Sequence, residues 1–160
     1  MLREFEWPKA ESKGDEKILH DIRNHGCSIV GIGDADPPFL FSVGLFANYG
    51  HPEVIIFDWR PDIAGSIINM VRDRAAAGHR FADGDIDGDF LLNDYKLCFW
   101  DVPLLVYPEY LGTAIWFYRK LGPFPCLQII WQDVNRRFPW EEGCVPEVKA
   151  DQPLLKKMVS

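Results

Sequence analysis

One hundred and sixty residues, 48% of them hydrophobic and 14% aromatic, suffice for one compact core and leave little room for a second domain. Seventeen Lys and Arg against 24 Asp and Glu give a net charge of −7, which argues against a general nucleic-acid binder or a binder of anionic membranes. No apolar run approaches the ~20 residues of a membrane span, and the opening MLREFEWPKAESKGDEK is charged where an export signal is apolar, so a cytoplasmic location is expected.

Residues 1–14 read as an arm that Trp7-Pro8 tacks onto the body, 15–155 as the domain and 156–160 as a tail. A helix is predicted from Asp15, with Ile18, Leu19 and Ile22 as its apolar stripe and Gly26 as a left-handed stop. CSIVGIG reads as a strand, Asp34–Pro38 as a turn and FLFSVGLF as a second strand, together an antiparallel hairpin. After the Asn48–Pro52 loop, EVIIFD is a strand apolar on both faces. Pro61 opens a helix in which Ile63, Ile67, Met70, Val71 and Arg74 follow helical spacing up to Gly78. An acidic, Gly-rich segment spans 79–94. YKLCFWDV then reads as a strand, which PLLVY extends or bends. Pro108 opens a third helix ending at Gly122-Pro123, CLQIIWQD is the last strand, and the remainder is irregular. The order α-β-β-β-α-β-β-α-β predicts an α+β single domain: a mixed, largely antiparallel sheet with about three helices packed on it.

The chemistry-bearing motifs are few. Gly31-Ile-Gly33 follows a strand, but it runs into Asp34, Asp36 and two prolines, so it lacks the helix start that a dinucleotide fingerprint needs. In DGDIDGDFLLND, Asp83, Asp85, Asp87 and Asp94 fall on ligand positions of a calcium-binding loop, with Gly88 at its sharp turn. A short Asp where a bidentate Glu is usual, and a following strand where a helix should exit, count against calcium. No other cofactor is expected. Cys27, Cys98, Cys126 and Cys144 form no C-x-x-C pair and read as reduced thiols. His20 and His25 are spaced i and i+5, which predicts no shared helix face and so no two-His metal site. The cluster of Trp131, Asp133, Trp140 and Glu141 interleaves aromatics with charge, as binding surfaces do.

The segments GCSIVGIG, FLFSVGLFANYGHPEVIIFD, PEYLGTAIWFY, FPCLQIIWQD, RFPWEEG and QPLL resemble a bacterial family known as domain of unknown function 4262. The resemblance spans roughly 15–155 and is most specific at Val43–Phe57 and Phe138–Glu141. It implies a small soluble bacterial protein and supplies no activity. This chain departs from the pattern at Asn135-Arg136-Arg137, where a Gly-containing turn is usual, and in the acidic loop 83–89.

The preferred expectation is a non-enzymatic binding protein that masks a basic protein partner, as an immunity protein does; the acidic loop is its candidate contact. The alternative is an enzyme or a binder of a flavin-like or nucleotide-like molecule, with a pocket between the His51 loop and the Phe138–Glu141 turn. There His51 would act as acid and base, Glu53 or Glu141 would orient it, and Trp131 and Trp140 would stack on the ligand. A calcium-modulated domain is the third expectation. For the His-Pro-Glu and Phe-Pro-Trp-Glu motifs themselves, structural bracing is the leading account.

Overall fold

Ser12 starts the first helix. Its side chain accepts the Asp15 N–H at 3.1 Å, capping α1 (Lys13–His25), which begins two residues before the predicted start. Leu19 and Ile22 are its buried face, and Gly26 ends it at φ 89°. The computed structural model describes residues 4–58 and 60–158; the first three residues of the expected arm and the last two of the expected tail lie outside the described residues. Within the arm, Phe5 and Trp7 pack edge-on against Phe117.

β1 (Ser28–Ile32) and β2 (Phe39–Val43) form the antiparallel hairpin, with Ser28 opposite Val43 and Ile32 opposite Phe39. β2 stops earlier than FLFSVGLF suggests. Gly44 turns the chain at φ 117°, and Leu45–Tyr49 forms a short helix, α2. A Cβ at Gly44 would lie 2.8 Å from Ile22 Cγ2, so α1 approaches this turn at a distance that only glycine permits.

β3 (Glu53–Phe57) is buried at every position, as its unbroken apolar run requires. α3 (Pro61–Ala76) follows, with Pro61 in its first turn and Ala64, Ile67, Ile68 and Val71 buried. Ile63 and Met70, counted in its predicted stripe, face outward instead. The acidic segment contributes a two-residue strand, β4 (Ile86–Asp87), paired antiparallel with β5 (Leu97–Asp101). PLLVY does not extend β5. Pro103 removes the ladder N–H, a 3-10 turn follows at Leu104–Val106, and the chain enters α4 (Tyr107–Tyr110). The predicted third helix breaks at Leu111, so α5 (Gly112–Phe117) is separate. β6 (Cys126–Trp131) is wholly buried, and the tail expected to be irregular carries α6 (Pro146–Asp151) and a 3-10 turn at Leu155–Lys157.

The six strands form one sheet in the order β1-β2-β3-β6-β5-β4, antiparallel except where β3 and β6 run parallel. The chain is thus an α+β domain on a mixed, mostly antiparallel sheet. On one face Phe39, Phe41, Ile55 and Phe57 meet α1, α4 and α5; on the other Leu40, Val54, Ile56 and Ile129 meet α3. Among the described residues no helix is long and apolar enough to cross a membrane. The parallel pair defines two ends. Glu53 sits beside Cys126 where both strands begin, and Asp58 and Asp133 lie just past where both finish.

Candidate functional site

At the entry end, the residues of the G-H-P-E motif are enclosed. Glu53 is 0% exposed. One carboxylate oxygen accepts from Ser42 Oγ at 2.7 Å and Leu45 N at 3.2 Å; the other accepts from Gly44 N at 3.0 Å and Phe46 N at 3.1 Å. The Tyr118 hydroxyl donates to that second oxygen and itself accepts from Ala47 N. This carboxylate therefore ends β2 and starts α2 by collecting the N–H groups that neither element can satisfy. Burial pushes its pKa up, against the pull of the hydrogen bonds from Tyr118, Ser42, Phe46 and Gly44. Burial, and next to it the Glu53 charge, push the Tyr118 phenol well above its ordinary range.

His51, 1% exposed, is equally committed. Its Nδ1–H donates to Pro52 O at 2.7 Å, which leaves Nε2 as the acceptor for Phe81 N–H at 3.1 Å. Burial holds its pKa below the ordinary imidazole range. The side chain clips the start of the acidic segment to the start of β3 and has no nitrogen left for a substrate.

The Phe138–Glu141 turn is built the same way. Asp133 Oδ1 accepts from Asn135 N and Arg137 N, and Oδ2 from Val145 N at 2.6 Å. Burial alone would raise this carboxyl; the N–H groups of Val145, Arg137 and Asn135 outweigh it and hold the pKa below the usual carboxylate range. Arg136 sits at φ 57°, a backbone conformation that glycine adopts more readily than arginine. Glu141 accepts Phe138 N at 3.0 Å and pairs with Arg137. Trp140 stacks on both Trp100 and Phe138, with ring centroids at 4.3 and 4.8 Å. Gln152 donates to Trp131 O and accepts from Trp131 N, while Gln128 donates to Pro153 O and accepts from Leu155 N. The terminal Q-P-L-L is therefore hydrogen-bonded onto β6.

The proposed pairing of His51 with Glu141 does not occur: each side chain is taken by other partners. The acids of the candidate calcium loop also disperse. Asp83 holds Lys156 and Asp101 N, Asp85 holds Ala82 N, Asp87 holds Arg74 and Asp89 N, and Asp94 is exposed at φ 64°. Among the described residues, the one set of three metal-ligating groups close enough to share an ion is His20, Asp21 and His25. All four thiols are free and buried; burial pushes Cys27 to about 12 and Cys98 to about 11, so neither is poised as a thiolate.

At the exit end the surface opens. A cleft of about 530 Å³ lies past the carboxyl ends of β3 and β6, where parallel strands commonly leave a ligand crevice. Its base is Trp131, whose indole N–H donates to Phe57 O at 2.7 Å, and Arg60 lies over the ring. Asp58 grips Arg60 through two hydrogen bonds of 3.0 Å. Ile63, Phe90, Leu92, Tyr95, Val134 and Val148 line the walls. Sequence reasoning picked out Trp131 and Asp133 but missed Asp58, Arg60 and Tyr95. The missing signal was the parallel pairing of EVIIFD with CLQIIWQD, which would have marked the residues just after both strands.

Residues 21–145 match the model of a family described as a domain of unknown function (DUF4262), and the chain belongs to that family. No curated protein and no solved structure matches it.

Proposed function

We propose that this chain is a non-enzymatic binding protein of the bacterial cytoplasm that masks a basic protein partner, as an immunity protein does. Its contact surface is the cleft at the exit end of β3 and β6. The observation that carries this reading is the contrast in exposure. Leu92 is 85% and Val134 73% exposed at the mouth of an apolar cleft, whereas the polar atoms of the motif residues are consumed internally. Large apolar side chains so exposed around a concave surface mark a binding site more often than a solvated face. Asp62, Asp89, Asp94 and Glu147 are exposed and are chain neighbours of the lining residues Ile63, Phe90, Tyr95 and Val148, and with the net charge of −7 they favour encounter with a basic surface. Four buried, unpaired thiols suit a reducing compartment.

The test is to crosslink the partner in the native host, purify it and titrate it against the wild type and a Leu92→Glu/Val134→Glu variant. The reading expects a basic protein whose affinity falls by at least about tenfold, or ~1.4 kcal/mol, in the variant. A partner whose affinity ignores both substitutions contradicts it.

The cleft also supports a second reading, a flat apolar small molecule. Its volume lies within the roughly 300–1,000 Å³ of small-molecule pockets, and Trp131, Tyr95 and Arg60 offer stacking surfaces. A flavin or nucleotide that raises the melting temperature in proportion to its concentration favours this reading.

A further inference from the structure

We propose that His20, Asp21 and His25 form a site for one divalent first-row transition-metal ion, of the Zn²⁺ or Cu²⁺ class, at the C-terminal end of α1. The inference is independent of the cleft and of the binding reading. A ligand atom from each of the three residues lies within 4.8 Å of the other two. The sequence argues against this grouping, since residues five apart lie roughly 140° apart around an ideal helix. The rings nevertheless meet, edge to face, with centroids at 6.1 Å. His25 is the last residue of α1, next to left-handed Gly26, and so sits where regular helix geometry ends.

The turn that carries these ligands is fixed from below. Asn48 Nδ2 donates to Ile22 O at 2.9 Å and to Gly26 O at 2.7 Å, tying the last carbonyls of α1 to α2. Asn24 Nδ2 donates to His20 O at 2.8 Å and to His20 Nδ1 at 3.1 Å, which marks Nδ1 as a lone-pair nitrogen that an ion takes in place of that contact. The carbonyl end of a helix also carries partial negative charge and favours a cation. Lys17 competes for the carboxylate, at 2.8 Å from Asp21 Oδ2. Its side chain is 76% exposed, and an ion pair so open to water is weak enough for a divalent ion to displace.

Two imidazoles and one carboxylate select the metal. Nitrogen donors suit zinc, copper and nickel, whereas calcium and magnesium require a shell of oxygens. His20 and His25 are exposed and Asp21 half-buried, so an ion reaches them without unfolding, and three protein ligands leave positions for water.

The experiment is calorimetric titration of the full chain, free of any histidine tag, with zinc, copper, calcium and magnesium chlorides. The expected result is one ion per chain, copper bound more tightly than zinc, and no heat from calcium or magnesium. His20→Ala and His25→Ala should each weaken binding beyond the ~10–100-fold that losing a mere supporting contact costs. His79→Ala, a change at an exposed histidine outside α1, should leave affinity unchanged. The electron paramagnetic spectrum of the copper complex should show two coupled nitrogens, and one fewer in either α1 variant. The exposed positions let both variants keep the wild-type circular dichroism spectrum. No zinc or copper binding, binding that survives both substitutions, one ion per two chains, or dependence on His79 would each overturn the site.

Discussion

At the entry end of the β3–β6 pair, His51, Glu53, Ser42 and Tyr118 turn inward and satisfy one another and the backbone; at the exit end, Leu92, Val134 and Ile63 face water around an open cleft. The same two strands position both. The difference is what each set of atoms is free to do. A carboxylate with five donors and an imidazole with both nitrogens engaged have no capacity for a substrate proton. An apolar wall exposed to solvent gains free energy when something covers it, at roughly 25 cal/mol for each Å² buried. The motif richest in chemistry-bearing residues is thus a brace, and the surface with capacity to spare is made largely of apolar side chains.

Substitutions at the two ends should therefore fail differently. The largest effect is expected from Glu53→Ala, which strands the buried N–H groups of Gly44 and Leu45, the half-buried one of Phe46, and two hydroxyls. Urea unfolding should show a loss of at least about 3 kcal/mol, with Glu53→Gln in between. Next, His51→Ala leaves the Phe81 N–H buried without an acceptor and should cost about 1–3 kcal/mol.

His51 also sets a pH dependence with a definite sign. Burial lowers its pKa in the folded chain, so the unfolded chain takes up the proton first as the medium acidifies. Its share of stability is whole above about pH 6.5 and declines as pH falls from there toward the folded-state value. Urea midpoints at about pH 7.5 and about pH 5.5 should differ less in a His51→Asn variant than in the wild type.

Smaller still is Gln152→Ala, which unhooks Q-P-L-L from Trp131. A loss of about 1–2 kcal/mol is expected, with faster amide exchange at Trp131 and Leu155. Least of all, Leu92→Glu and Val134→Glu should each change stability by no more than about 0.5 kcal/mol, because both side chains already face water.

What the sequence made legible was local. Alternation in FLFSV, the unbroken EVIIF and LQIIW runs, the stop at Gly26 and the helix start at Pro61 are consequences of strand and helix geometry within a few residues. The alternation carried on into Gly44–Phe46 and hid α2, because what ends β2 there is the carboxylate of Glu53, nine residues away from Gly44 in the chain. PLLVY looked like strand because Leu104 and Leu105 are apolar, yet both are exposed, and Pro103 decides the outcome. Of the cleft, only Trp131 and Asp133 were read as binding residues; its existence was not. It depends on β3 and β6 lying side by side and parallel, with α3, β4 and β5 between them in the chain. The His20–His25 grouping was misjudged for a related reason: ideal helix angles do not hold at a helix end.

The most direct test of the account sets one variant from each end against the captured partner in the same calorimetric titration. The Leu92→Glu/Val134→Glu protein should melt near the wild-type temperature and bind at least about tenfold more weakly. Glu53→Gln, at the entry end, should melt lower and, at a temperature where it is folded, bind with wild-type affinity. If the cleft variant binds normally while Glu53→Gln does not, the cleft is not the working surface and the account is wrong.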